Sequence, residues 1–178
     1  GGTTVVTTGS TVYEGGLASE IIVGSKVEAE GTISGSTLTA SKVSQRDAVR
    51  FEGNVASVNG NTVTLAGLPG IAISTNGLTE FKNVGSTSGL AAPNHLRVRG
   101  RPGIGNTATA TELELRSTTA DNRVELRASV SAFTSGASFT MLGVTVSTGG
   151  VSQFRDTSDA SITSQAFYAA LKVGTIVK

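Results

Sequence analysis

"VRFEGNVASVNGNTVTLAG", residues 49–67, reads as a β-hairpin. Apolar side chains alternate with polar ones at Val49, Phe51 and Val55, which is the two-residue period of a strand with one buried face. The following Asn59-Gly60-Asn61 favours a tight turn, because Asn and Gly tolerate positive φ angles. The alternation resumes in "TVTLAGL" at 62–68. The stretch therefore predicts two paired antiparallel strands.

The same pattern returns later in the chain. "VELRASVSAFTSGASFTMLG" at 124–143 matches the first hairpin with one residue of slack at the turn. A second motif, at the start of a fourth strand, reads "VEAEG" at 27–31, "LRVRG" at 96–100 and "VK" at 177–178. Self-similarity of this kind indicates a repeated structural unit, here one of five strands.

The repeats divide the chain into three segments. Residues 48–121 hold the one complete copy, residues 1–47 hold the C-terminal half of a copy, and residues 122–178 hold strands one to three and the start of strand four. In the last copy, apolar residues from 162 to 172 fall on one face of a predicted short helix between strands three and four. Three strands, a helix and two strands is the order of the OB-fold. The sequence thus predicts an all-β tandem of OB-like five-strand barrels, one complete and two partial.

The core of the complete copy follows from the two-residue period, because interior positions alternate along each strand of a barrel. We predict that its interior contains Phe51, Val55, Val63, Leu65, Ile71, Ile73, Phe81, Leu96, Val98 and Leu113.

Two motifs carry a family resemblance. "VGSKVEAEGTISGSTLTASKV", followed by "VRFEGNVASVNGNTVTLAG", resembles a bacterial family known as domain of unknown function 5666. The last copy departs from the pattern, with Ala128 where the middle copy has Gly53. The resemblance implies tandem small OB-like β-barrels and an exported, extracellular or cell-envelope location. It implies no activity and no catalytic residues.

Composition excludes several classes of function. The chain has no cysteine and one histidine, so disulfides and thiolate metal sites cannot form. A net charge of +1 and the absence of tryptophan argue against a nucleic-acid site, which needs aromatic platforms in a basic groove. No apolar run approaches the roughly 20 residues that span a bilayer. We expect no cofactor, no metal, no nucleic-acid partner and no transmembrane segment.

The residues that could support catalysis are few and scattered. His95 precedes the fourth strand beside Pro93-Asn94, and we interpret it as an exposed loop residue without a carboxylate partner. "GRPGIGN" at 100–106 lacks the Lys-Ser/Thr of a phosphate-binding loop. Paired acidic residues are interpreted as solvated positions or weak Ca²⁺ candidates: Glu28/Glu30, Glu112/Glu114 and Asp156/Asp159. Because no nucleophile, base and orienting group come together, we expect no enzyme.

Charged rows suggest contacts between copies. Glu28 and Glu30 occupy strand positions equivalent to Arg97 and Arg99, with the opposite sign. We expect these rows to meet neighbouring barrels or other chains and to set their register. Val173 and Val177, at the open end of the last copy, are further candidates for contact between subunits.

The partial copies lead to the functional hypothesis. The first copy lacks strands that the last copy has, and open strand edges invite a further strand. We expect a structural, self-assembling protein that joins head to tail into a filament by strand complementation. Two alternatives stay open: a glycan-binding or envelope-binding module of a larger exported protein, and a fragment whose missing strands lie in the same polypeptide.

Overall fold

A computed structural model describes residues 2–23, 25–150 and 153–178. Its elements are strands, short 3₁₀ turns at Ala18–Glu20 and Thr87–Gly89, and the α-helix α1 at Ser164–Ala170. The prediction of an all-β protein is confirmed. The predicted helix is confirmed over a shorter span than 162–172, and its cap is Thr163, whose side chain accepts a hydrogen bond from the Ala166 amide.

The first segment is a sheet of three strands, β1 (Thr4–Glu14), β2 (Val27–Ser34) and β3 (Thr37–Gln45). β3 is central, pairing in parallel with β1 and antiparallel with β2. Within the described residues, this sheet makes no strand pairing with the rest of the chain, so it is a separate layer.

The middle segment has six strands: β4 (Val49–Asn59), β5 (Thr62–Leu65), β6 (Ala72–Ser74), β7 (Glu80–Lys82), β8 (His95–Pro102) and β9 (Thr107–Ser117). β4 pairs with β5, β5 with β6, β6 with β9, β9 with β8, and β8 with β4 again. The pairings return to their starting strand, so the apolar face of each strand is turned towards the others.

The predicted core of this segment is confirmed. Phe51, Leu96 and Leu113 are fully buried, and Ile73 is 1% exposed. The other predicted positions are buried too, except Phe81, which is partly buried and packs against the same cluster. The local two-residue period therefore identified the interior correctly.

The last segment has six strands: β10 (Glu125–Thr134), β11 (Ser138–Met141), β12 (Val144–Ser147), β13 (Phe154–Arg155), β14 (Ser161–Ile162) and β15 (Ile176–Val177). β10, β11 and β12 form an antiparallel meander, and β15 pairs with β10 at Ala128 and Ser129. The small β13–β14 hairpin was not predicted. α1 covers the meander, with the Phe167 ring centroid 5.8 Å from that of Phe139.

The prediction of tandem OB-like barrels is wrong. β10 pairs with β4 through Glu125, Leu126 and Arg127, so the middle and last segments share one ten-stranded sheet. The first segment is an open sheet. Successive segments are thus stacked like the turns of a β-solenoid, and the residues around 48 and 122 connect layers of this stack. The boundaries 1–47, 48–121 and 122–178 remain predictions.

The first two segments nevertheless share a detailed strand geometry. A β-bulge interrupts the β2–β3 ladder just before Gly31, and another interrupts the β8–β9 ladder just before Gly100. Gly31 pairs with Ala40 as Gly100 pairs with Ala110. At both glycines a Cβ would overlap a backbone carbonyl of the partner strand. These matched positions align the two sheets residue by residue.

Candidate functional site

The single histidine lies inside the structure. His95 begins β8 and is only 2% exposed. Its Nδ1 is 2.9 Å from Asn54 Oδ1, and its Nε2 is 3.5 Å from Glu52 Oε1. The interpretation of an exposed loop histidine without a carboxylate partner is therefore wrong. Its partners lie on β4, more than forty positions earlier in the chain, and only the β4–β8 pairing reveals them.

Buried carboxylates form a charged cluster with this histidine. Glu52 on β4 and Glu125 on β10 are each 5% exposed. Arg97 Nε is 3.5 Å from Glu52 Oε2, and Arg123 Nε is 3.4 Å from Glu52 Oε1. Buried charges need such partners, because removing one leaves the others uncompensated. The cluster crosses the β4–β10 boundary and so ties the middle segment to the last.

Glu125 has partners on both sides of that boundary, and Arg50 Nε of the middle segment is 3.2 Å from Glu125 Oε1. Arg123 Nη2 and Lys178 Nζ each donate to Glu125 Oε2 from 3.0 Å. Burial raises the pKa of Glu125, but the hydrogen bonds from Lys178 and Arg123 and the charge of Arg50 outweigh it and lower the pKa below its ordinary value. Glu125 is therefore ionised at neutral pH and stabilises the junction there.

We expect acid to destabilise the protein partly through this residue. A carboxylate whose folded pKa is lowered contributes stability above its unfolded pKa, about 4.3, and this contribution is lost as the pH falls through the folded pKa. Glu125→Gln should unfold more easily at neutral pH and lose less stability on acidification than wild type. Urea unfolding between about pH 7 and 3 measures both. Glu80→Gln, on an exposed side chain, is the control, and equal acid dependence in Glu125→Gln and wild type would contradict the assignment.

The four charged residues predicted to make contacts all have partners within the chain. Glu28 pairs with Arg46, and Lys42 Nζ is 2.7 Å from Glu30 Oε1. Arg97 lies between Glu52 and Glu114, while Arg99 Nε is 3.7 Å from Glu112 Oε1. Their first role is to form cross-strand ladders. Contact with other chains through these rows stays a prediction.

The remaining sequence candidates lie apart from this cluster. Val173 is 68% exposed, whereas Val177 pairs with Ala128 and is partly buried. The Asp156 carboxylate caps its own turn, accepting from the Ser158 and Ala160 amides. Among the described residues, no group of three or more acidic, histidine or cysteine side chains could hold a metal ion. No helix in the described ranges is long and apolar enough to cross a membrane.

An exposed apolar face is the feature of the first segment that sequence reasoning missed. Val5, Leu38 and Ile33 are paired across β1, β3 and β2, so their side chains share one face of the sheet. Val5 is 44% and Ile33 is 63% exposed, and Val27, on the same face, is 42% exposed. We call this surface the open face. The opposite face carries Thr, Glu, Lys and Ser residues together with Val6 and Val12.

The middle segment shows what covers such a face. By the alignment at the bulge glycines, Val5 corresponds to Ile73 and Val27 to Leu96. Ile73 is 1% and Leu96 is 0% exposed, and both pack in one cluster with residues of the β4–β5 hairpin. Those hairpin residues are Phe51, Val55, Val63 and Leu65. Among the described residues, no hairpin pairs with the first sheet in this way.

These observations define the class: an all-β protein of stacked, related segments, whose described residues present an open apolar face and a buried charged cluster. The model of a protein family, described as a domain of unknown function, DUF5666, matches residues 1–44, 52–114 and 127–178. The chain belongs to this family, and the three matches follow the three repeats found in the sequence. No curated protein and no solved structure matches it.

Proposed function

We propose that the chain is a structural, non-catalytic β-protein that assembles with further copies of itself through the open face. One observation carries the proposal: Val5 and Val27 are 44% and 42% exposed, although their counterparts Ile73 and Leu96 are buried in the core of the middle segment. Exposed apolar side chains that share one face of a sheet mark an interaction site.

The occupant that fits is a β-hairpin of the same repeat. The β10–β11 hairpin of a second copy has the sequence position of β4–β5 and carries apolar residues at matching places, with Val130 opposite Met141 as Val55 is opposite Leu65. It would add to the free edge of β2 as β4 adds to β8. The two surfaces differ, so each chain would use one of each, and the contact would build an open filament.

The structure adds one condition to this assembly. β15 and β2 hold the same position in the repeat, so the incoming β2 has to replace β15 beside β10. β15 is held there by two residue pairs, Ala128 with Val177 and Ser129 with Ile176, and by the ion pair of Lys178 with Glu125, and the incoming strand would have to replace these contacts. The exported or cell-envelope location that the resemblance implies forms part of the same proposal.

Placing a charge on the open face tests the proposal. We expect wild type to associate reversibly in sedimentation velocity over a concentration series. Ile33→Glu should weaken association at least about tenfold, or 1.4 kcal/mol, because a carboxylate would be buried against apolar residues. Since Ile33 is 63% exposed, the variant should keep the melting temperature of the wild-type monomer.

Thr32→Glu is the matched control, because Thr32 is the preceding exposed residue on the opposite, polar face of β2. It adds the same charge to the same strand and should associate like wild type. A wild type that stays monomeric at high concentration, or an Ile33→Glu variant that associates as wild type does, would show that copies do not join through this face.

A further inference from the structure

A groove of about 490 Å³ opens on the last segment, between the β10–β11 turn and α1. The turn contributes Ser135 and Gly136, and the helix contributes the remaining walls: Ser164, Gln165, Tyr168 and Ala169. The lining residues carry no formal charge at neutral pH. The groove therefore suits an uncharged ligand.

The middle segment has no room at the same place. There the 3₁₀ turn at Thr87–Gly89 lies against the β4–β5 turn, and Thr87 Oγ1 donates a hydrogen bond of 2.9 Å to the Gly60 carbonyl. Thr87 is 5% exposed, so this contact closes the space. In the last segment, α1 replaces the 3₁₀ turn and stands away from the β10–β11 turn. The groove is thus specific to the last segment.

An aromatic ring stands beside the groove. Phe133 pairs with Phe139 across β10 and β11, so its ring is on the side of the sheet that α1 covers. Phe139 is buried, but Phe133 is 38% exposed, with its ring centroid 6.5 Å from that of Tyr168. The Tyr168 hydroxyl lies 2.8 Å from Thr148 Oγ1, which fixes the ring below the groove.

The polar groups of the lining are available to a ligand. Ser135 and Gln165 are exposed and Ser164 is half-buried, so a ligand in the groove can reach their side chains. Two hydroxyls and one amide offer both donors and acceptors. An exposed aromatic ring beside uncharged hydrogen-bonding groups is the combination that fits a ligand with one apolar face and a polar rim.

We propose that this groove binds a neutral saccharide. A pyranose ring has an apolar C–H face, which would pack on Phe133, and a rim of hydroxyls, which would bond with Gln165, Ser135 and Ser164. The groove lies at the turn of the hairpin that the proposed association uses, so the titration is made with the Ile33→Glu variant, in which association should be weakened, and this keeps the two proposals distinguishable.

The experiment is an NMR titration of the full chain with chitohexaose and with cellohexaose. We expect one of them to shift the amide signals of residues 133–137 and 164–169. Phe133→Ala should weaken binding about tenfold, equivalent to 1.4 kcal/mol, and Gln165→Ala should weaken it as well. Leu78→Ala, which removes an exposed apolar side chain of the middle segment, is the control and should bind like wild type.

Two outcomes would overturn the proposal. One is that neither sugar shifts the groove signals at millimolar concentration. The other is that Phe133→Ala binds as tightly as wild type. A neutral leucine–serine peptide, titrated in parallel, should leave the groove signals unchanged, and a shift with the peptide but not with the sugars would assign the groove to peptides instead.

Discussion

Replacing Phe51 by alanine is expected to lower the free energy of unfolding by roughly 3–5 kcal/mol. The Phe51 side chain on β4 is 0% exposed and packs with apolar residues of the strands that close on one another in the middle segment. The substitution loses the free energy gained by moving the phenyl ring from water into the core. It also leaves a cavity that the paired strands cannot close. Urea unfolding followed by circular dichroism measures the change at constant m-value.

Phe133→Ala supplies the matched control for this experiment. The same substitution is made on the equivalent strand of the last segment, but Phe133 is 38% exposed, so the loss should be clearly smaller. A loss below about 1 kcal/mol for Phe51→Ala, or equal losses for both variants, would contradict the burial of Phe51 in a closed core.

Gly100→Ala is expected to be the second most damaging of these changes, at roughly 1–3 kcal/mol or more. A Cβ at position 100 would overlap the backbone carbonyl of Thr109 on β9, and Gly100 is itself buried. Backbone cannot move aside as a flexible side chain can, so the β8–β9 ladder has to open at the bulge. Loss of amide protection against hydrogen exchange in 97–101 and 109–112 would localise the damage.

Two further glycines test the reason given for Gly100. Gly85→Ala is the control, because no atom lies within 4 Å of a Cβ built there, and it should leave stability within about 0.5 kcal/mol of wild type. Gly31→Ala makes the same overlap in the open first sheet, where adjustment is easier, and should cost less than Gly100→Ala. Equal stability of Gly100→Ala and wild type would mean that the bulge is not as tight as described.

The stacking of segments gives each boundary a distinct chemistry. Between the middle and last segments, β10 continues the sheet of β4, and the charges of Glu52 and Glu125 are shared across the junction. Between the first and middle segments, the buried Arg101 reaches Glu20, with its Nη2 3.1 Å from Glu20 Oε2. Gly16 leaves room for that guanidinium, since a Cβ there would overlap it. The middle and last segments are therefore joined by strand pairing, whereas the Arg101 side chain links the first segment to the middle one.

Local pattern was sufficient for part of this structure. Local patterns predicted the strands, the interior residues and the repeats: the alternation of Val49, Phe51 and Val55, the Asn-Gly-Asn turn, and the repeat of this hairpin at 124–143. They could do so because strand periodicity and turn chemistry are short-range properties. The family assignment was likewise accessible from the motifs. α1 was predicted for the same reason, with its ends displaced by a few residues.

The rest was decided by contacts between residues far apart in the chain. The sequence indicated a loop residue at His95. In the structure, the pairing of β8 with β4 encloses His95 beside Glu52 and Asn54. The same long-range pairing joined β10 to β4, which replaced separate barrels by a continuous stack. The open face around Ile33 and the groove beside Phe133 depend on what packs against each segment: no described hairpin covers the first, and in the last a helix takes the place of a tighter turn. Alternation states which side of a strand is apolar, but which layer covers that side depends on tertiary packing.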